Sequence, residues 1–248
     1  MTLEQFFAEN REVAVAFSGG VDSAYLLYAA KRYAARVKAY YVSTAFQPEF
    51  ELEDARRLAD ELGADMLVLH VDILSNSAVT ANPSDRCYHC KNTLFRQILR
   101  AAENDGFPVL LDGTNASDDA GDRPGMRALR ELSVRSPLRE CGLTKAEIRR
   151  LSREAGLFTW DKPAYACLAT RIRTGEEITL QKLKQTEKAE GFLFGLGFRD
   201  FRVRMVDNTA KLELREADLP LLLENREKIV TELRKDYDSV LLNLEVRK

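Results

Sequence analysis

Residues Ser18-Gly19-Gly20-Val21-Asp22-Ser23 have the types and order that phosphate chemistry needs. They follow an apolar run and lead into a helical pattern. Two glycines allow a tight turn that brings backbone N–H groups against an anion, and the start of a helix adds the positive end of its dipole. No Gly-Lys-Ser/Thr follows, so the loop is not a Walker A loop, and its spacing is not that of the dinucleotide fingerprint. Without a lysine to hold a γ-phosphate, a kinase or NTPase reading is weak. The plain alternative is a Gly-Gly turn in which Asp22 and Ser23 cap a helix.

A second turn, Asp112-Gly113-Thr114-Asn115, follows another apolar run and taken alone reads equally well as an Asx-capped turn. Asp118 and Asp119 just beyond it are candidates for Mg2+, which takes one or two carboxylates together with phosphate oxygens. Cys87-Tyr88-His89-Cys90 sets two thiols three residues apart where a helix begins, with Cys141 and Cys167 further along. Four readings are open. Zinc would want four ligands at knuckle spacing, and a second CxxC is missing. A thioredoxin-like dithiol fits the CxxC but not its surroundings. Three thiolates on a 4Fe-4S cluster, with one iron open, fit the count and the pairing. Buried thiols without chemistry are the usual role of an isolated cysteine, and Cys141 is such a case.

The elements that must position these residues follow from periodicity. Val13–Phe17, Val37–Val42, Met66–Val71 and Val109–Leu111 read as buried strands. Helical patterns over Asp22–Ala34, Glu51–Leu62 and Lys91–Glu103 alternate with them, which predicts right-handed crossovers and an α/β doubly wound parallel sheet. Ligands of such sheets lie beyond the carboxyl ends of the strands, so the loops after Phe17, Val42, Val71 and Leu111 are the suspects. Thr144–Ala155 predicts a helix with a Thr144–Glu147 capping box. After Gly175 the pattern changes to a helix over Thr179–Gly191, a hairpin of Phe201–Val206 with Ala210–Leu214, a helix over Leu219–Leu233 and a strand over Val240–Val246. A domain boundary near Arg173–Glu176 is expected, with 1–175 binding nucleotide and 176–248 a smaller C-terminal α/β domain for substrate binding and oligomerisation.

Composition agrees with a globular protein: 45% hydrophobic and 31% charged residues with a net charge of -2 exclude a disordered chain. Near-neutrality argues against nonspecific coating of nucleic acid. The first residues show no signal-peptide pattern and no stretch reaches the roughly 20 apolar residues of a membrane span, so a cytoplasmic protein is expected. There, four thiols are more often free, metal-bound or catalytic than paired.

The first motif resembles the PP-loop of the ATP pyrophosphatases, the superfamily of GMP, NAD and asparagine synthetases and the tRNA thiolases. That resemblance implies cleavage beside the α-phosphorus of ATP and adenylylation of an acceptor. Together with Asn82–Lys91, Gly121–Ala128, Lys162–Ile172 and Arg199–Arg204, it makes nearly the whole chain similar to the LarE family. What this implies is ATP-dependent conversion of a carboxylate of pyridinium-3,5-biscarboxylic acid mononucleotide to a thiocarboxylate, on the way to a nickel-pincer cofactor. ATP would sit on Ser18, Gly19, Gly20, Val21, Asp22 and Ser23, with Ser43, Gly113 and Thr114 nearby, and Asp22 and Asp118 would act with Mg2+. Cys167 would be the sulfur donor or, with Cys87 and Cys90, a ligand of a 4Fe-4S cluster, which is the favoured type here. Sulfide or a sulfur-donating protein would then be a partner.

Arg202 and Arg204 alternate along a strand and so share one face, suited to bidentate phosphate contact. By resemblance they form, with Glu190, the substrate-phosphate site, and a homo-oligomer, a hexamer in the family, is implied. Lys91, Arg123, Arg127 and Arg171 are further candidates without roles. The competing readings are a tRNA thiolase and a nonenzymatic adenine-nucleotide-binding redox or metal sensor.

Overall fold

The structure, a computed structural model, describes residues 1–118 and 124–247. In chain order the elements begin α1 (Leu3–Glu9), β1 (Glu12–Ala16), α2 (Val21–Tyr33), β2 (Arg36–Ser43), α3 (Glu49–Glu61), β3 (Met66–His70), α4 (Ser77–Thr80), α5 (Arg86–Asn104) and β4 (Val109–Leu111). They continue with α6 (Pro124–Glu131), α7 (Pro137–Glu140), α8 (Lys145–Glu154), α9 (Leu180–Gly195), β5 (Arg202–Val206), β6 (Thr209–Glu213), α10 (Leu219–Glu224), α11 (Arg226–Leu233) and β7 (Ser239–Leu242). The chain forms two compact units, 1–73 with 85–164, and 74–84 with 165–248.

The first unit is built on a parallel sheet of order β3-β2-β1-β4. Successive side chains of its strands point to opposite faces, as a period of two requires. Val13, Val15, Ala39, Tyr41 and Leu111 face one way, into a core with Leu27, Leu58 and Ile148 of α2, α3 and α8. Ala14, Tyr40 and Leu110 face the other way, against Ile98 and Ala102 of α5. Helices on both faces explain why the strands read as continuous apolar runs. The four predicted strands and the doubly wound architecture are present.

In the second unit β5 and β6 form an antiparallel hairpin and β7 adds in parallel beside β6. Val203, Met205, Ala210 and Leu212 turn inward to meet Leu193 of α9 and Ile229 of α11. The helix expected over Leu219–Leu233 is two helices, because Asn225 leaves helical geometry (φ -101°, ψ 10°) and caps both. The segment 74–84 joins this unit through Asn82, buried and left-handed (φ 52°), whose side-chain amide donates to Arg173 O at 2.8 Å. Backbone bonds from Gly175 to Asn82 O and from Ile178 to Thr80 O, both 2.8 Å, fasten the rest.

Leu111, fully buried on β4, tests how closely that core is packed. Leu111→Ala is expected to destabilise the protein by about 2–5 kcal/mol in urea unfolding, through lost burial and the cavity it leaves.

Candidate functional site

Parallel pairing sends every strand's carboxyl end to one edge, and the order β2-β1-β4 makes the gap between β1 and β4 the switch point where crossovers diverge. The two sequence motifs leave the sheet on either side of that gap. Gly19 adopts φ +72°, which a residue with a side chain rarely takes, and lies against Ala55 of α3. Ser23 Oγ accepts from Ser18 N at 3.2 Å, meets Ser18 Oγ at 3.0 Å and donates to Gly20 O at 3.2 Å, closing the loop on itself. Gly20 is the N-cap of α2 and no side chain caps that terminus, so its first amides are left to a ligand.

Gly113 brings the second motif into contact with the first. A Cβ there would lie 2.9 Å from Ser23 N and 3.2 Å from Ser23 Cα, closer than side chains tolerate. The turn is held by Asp112, which accepts from Thr114 Oγ1 at 2.5 Å and from Ser136 Oγ at 2.6 Å. Asp118 Oδ2 accepts from Asn115 N at 2.9 Å. Ser43 ends β2 on the same edge, its carbonyl accepting from Val71 N at 3.0 Å.

Asp22 Oδ2 accepts from Lys145 Nζ at 2.6 Å, while Oδ1 is buried with no hydrogen-bond partner among the described residues. Burial is the main cause that raises the Asp22 pKa; Lys145 pulls it down and Asp118 pushes it up. An orphaned carboxylate oxygen beside a second carboxylate is a hard-oxygen donor set that fits Mg2+. Asp22 and Asp118 would hold the ion, which neutralises phosphate charge. Asp119, Arg123 and the stretch 119–123 lie outside the described residues.

Lys145 was not singled out by the sequence, yet a signal existed. It is the first residue of α8, where a cation opposes the helix dipole, so its place needs another reason, and Asp22 supplies it. Its own amide donates to Ser117 Oγ at 2.9 Å, tying α8 to the Asp112–Asp118 turn. The expected Thr144–Glu147 capping box sets this helix start.

The cysteines divide between the units. The helix expected from Lys91 begins already at Arg86, so Cys87 (exposed) and Cys90 (half-buried) lie in its first turns, three apart on one face. Cys167, half-buried, caps a short 3-10 turn, Leu168–Arg171, in the second unit. Cys141 packs against the first unit's core, and burial raises its thiol pKa. Among the described residues no group of three or more His, Cys, Asp or Glu is arranged to hold a metal ion.

In the second unit Glu190 is buried at 1% exposure and fully engaged. It accepts from Arg171 Nε at 2.6 Å and Nη2 at 3.1 Å, from Val203 N at 2.9 Å, and from Tyr165 Oη. Arg171, equally buried, receives an aromatic face from Tyr165. This pair joins the turn after Cys167 to β5. Arg202 and Arg204 stand two apart on β5, but Arg204 is already bound, to Glu213 Oε1 at 2.7 Å and Thr170 O at 2.8 Å. Of the remaining candidates, Arg127 stacks on Tyr88 at 4.1 Å and Lys91 runs alongside Gly125.

This fold, with a glycine-rich phosphate loop after its first strand and a second turn against it, is that of the PP-loop ATP pyrophosphatases. Residues 4–118 match the asparagine synthase family. The chain is 40% identical to uncharacterized protein slr1717 of Synechocystis, over 86% of this chain and 80% of the relative. It is 34% identical to the pyridinium-3,5-bisthiocarboxylic acid mononucleotide synthase of Lactiplantibacillus plantarum, over 87% of this chain and 79% of that protein. A tRNA-specific 2-thiouridylase of Thermotoga petrophila is 26% identical over 59% of this chain and 52% of its own length. The chain belongs to the LarE family of pyridinium-3,5-bisthiocarboxylic acid mononucleotide synthases.

Two outcomes follow from the nucleotide loop. Gly113→Ala must move backbone on one side or the other, and ATP-dependent pyrophosphate release is expected to fall about 100-fold, as misplacement by an ångström can cost. Asp22, an acid whose folded pKa is raised, binds its proton more tightly folded than unfolded, so stability falls as the pH rises from the ordinary carboxylate value through the raised folded one and stays lower above it. Asp22→Asn is therefore expected to raise Tm at neutral pH while abolishing activity, and the gain should vanish in acid, where wild-type Asp22 is itself protonated.

Proposed function

We propose that this protein inserts sulfur into a carboxylate of pyridinium-3,5-biscarboxylic acid mononucleotide at the expense of ATP, for nickel-pincer cofactor biosynthesis. The observation that carries the reading is the Ser18–Ser23 loop closed against Gly113, in a chain of this family. The pyrophosphate end of ATP lies on Ser18, Gly19, Gly20, Val21 and Ser23, with Ser43, Gly113 and Thr114 bordering the nucleotide, and Asp22 and Asp118 face its charge. A carboxylate oxygen of the substrate bonds to the α-phosphorus as the bond to the bridging oxygen breaks and pyrophosphate leaves. Activation comes first because a carboxylate oxygen is a poor leaving group until it is part of AMP. A sulfur nucleophile then bonds to the acyl carbon, the bond to AMP breaks, and a thiocarboxylate remains.

The finer assignments extend this reading. Residues of 176–248 hold the substrate phosphate through Arg202 and Arg204, with Glu190 as the buried anchor behind them. Cys87, Cys90 and Cys167 would ligate a 4Fe-4S cluster, which when bound supplies a sulfide for transfer. The support for it is the pairing of Cys87 and Cys90 on one helix face and the third cysteine in a matching flank. Cys167 as direct donor is the simpler variant: its thiolate forms a thioester on the acyl carbon, and loss of the Cys167 α-proton with cleavage of the Cβ–Sγ bond releases the thiocarboxylate and leaves dehydroalanine at 167. Sulfide or a donor protein restores sulfur, and the enzyme works as a cytoplasmic homo-oligomer. A tRNA thiolase is less well supported, since the chain is near neutral at -2.

With ATP and the pyridinium biscarboxylate mononucleotide, AMP and pyrophosphate are expected in equal amounts, with one sulfur for one oxygen in the product by mass spectrometry. Absence of AMP would sink the reading. Protein purified without oxygen is expected to carry about four irons, and Cys87→Ser to abolish transfer but not AMP formation. Iron-free protein that loses one sulfur from Cys167 during turnover would instead establish the sacrificial route.

A further inference from the structure

The 3-10 turn Phe158–Asp161 and the residue after it, Lys162, are fastened by side chains of two helices. From α8, Arg149 donates through Nη1 to Trp160 O at 2.6 Å and through Nη2 to Lys162 O at 2.9 Å, and Arg153 stacks on the Trp160 ring at 4.9 Å. From α3, Asp54 Oδ2 accepts from Lys162 Nζ at 2.6 Å, and Arg57 stacks on Phe158 at 4.1 Å. Thr159, between the two stacked rings in sequence, is fully buried. One guanidinium fork that closes on two backbone carbonyls fixes their direction as well as their distance. Lys162 is thus bound at its carbonyl by one helix and at its side chain by the other.

These are the same two helices that touch the phosphate loop. Ala55, next to Asp54, lies against Gly19, and Lys145, one turn before Arg149 on the same face of α8, binds Asp22. The charge of Arg149 acts on Asp22 as well. Five positions after Lys162 the chain reaches Cys167. The walls of the ATP loop therefore set the starting point and the direction of the segment that carries the sulfur residue. The chemistry gives such control a purpose. An acyl adenylate that does not meet sulfur meets water, whose oxygen bonds to the acyl carbon as the bond to AMP breaks; its protons leave to solvent, the carboxylate is regenerated and the ATP is wasted.

We propose that Arg149 and the Lys162–Asp54 ion pair are positioning residues for sulfur transfer, locking the segment that leads to Cys167 onto the walls of the phosphate loop so that the adenylate is captured by sulfur instead of being hydrolysed. This rests on the sulfur-insertion reading and adds the residues that couple its two steps. It holds whether Cys167 gives its own sulfur or ligates a cluster.

The test is a single turnover of the full chain, purified without oxygen, with ATP and the pyridinium biscarboxylate mononucleotide, counting AMP and thiocarboxylate separately. Wild-type protein is expected to form about one thiocarboxylate per AMP. Arg149→Met is expected to form AMP at close to the wild-type rate while thiocarboxylate per AMP falls about 10- to 100-fold, as misplacement by an ångström can cost. Arg149→Lys keeps the charge near Asp22 but has no fork for two carbonyls, and is expected to lose transfer as Arg149→Met does. Lys162→Met leaves both carbonyls in place and is expected to shift the ratio in the same direction by less; it decides the matter should Arg149→Met fail to fold. A brace that only stabilises the first unit would lower AMP formation and transfer alike, and that result overturns the assignment. So does full transfer by Arg149→Lys, which would show that charge alone is needed. If wild-type protein forms no AMP, the sulfur-insertion reading falls too; if wild type forms both products and the variants keep its ratio, the positioning assignment alone falls.

Discussion

Everything in the nucleotide unit depends on one constraint, that β1 pairs in parallel with both β2 and β4. Parallel strands need crossovers, the crossovers put helices on both faces, and all carboxyl-end loops must then open on the same edge. Two motifs nearly a hundred positions apart in sequence thus become neighbours. The remaining gap is closed by a missing atom: Gly113 has no Cβ, and only so can the turn after β4 touch the amide of Ser23. The phosphate loop is shaped from two sides, by its own hydroxyl bonds and by that backbone contact.

The second unit is organised by charge. Glu190 and Arg171 are buried together, each satisfying the other, and Glu190 also accepts the amide of β5. Removing one partner of such a pair strands a charge in the core, so the pair constrains the conformation around Cys167 whatever its net worth to stability. Against that satisfied background several buried polar atoms have no hydrogen-bond partner among the described residues, Asp22 Oδ1 and Arg247 Nε together with atoms of Tyr41, Arg139, Ser152, Thr159 and Tyr237. Each is a local cost, and local costs kept in a folded protein concentrate where ligands bind.

Much of this was legible in one dimension. The four parallel strands were apolar runs bounded by turns, and the capping box at Thr144 was a four-residue signature. The phosphate loop was readable because its function needs contiguous residues. Lys145 escaped because its partner is distant in the chain; only its discord with the helix dipole marked it. The start of α5 escaped because Arg86–Cys90 lacks apolar periodicity, although that turn carries both cysteines of the pair. Arg202 and Arg204 looked equivalent by alternation, and the structure separates them through Glu213 and Thr170 O, contacts with no local signal.

The sequence by itself determined the class of chemistry, because a strand, a glycine-rich turn and a helix start follow one another along the chain and are set by local propensities. It also determined that the parallel strands are covered on both faces, since their apolar runs are continuous rather than alternating. The tertiary structure alone decided which charges are spent on each other and which remain for a ligand. It also decided that 74–84 folds with 165–248, through the buried amide of Asn82. Those outcomes depend on pairings between residues tens of positions apart, and such pairings are fixed by packing and register rather than by any neighbour in the chain.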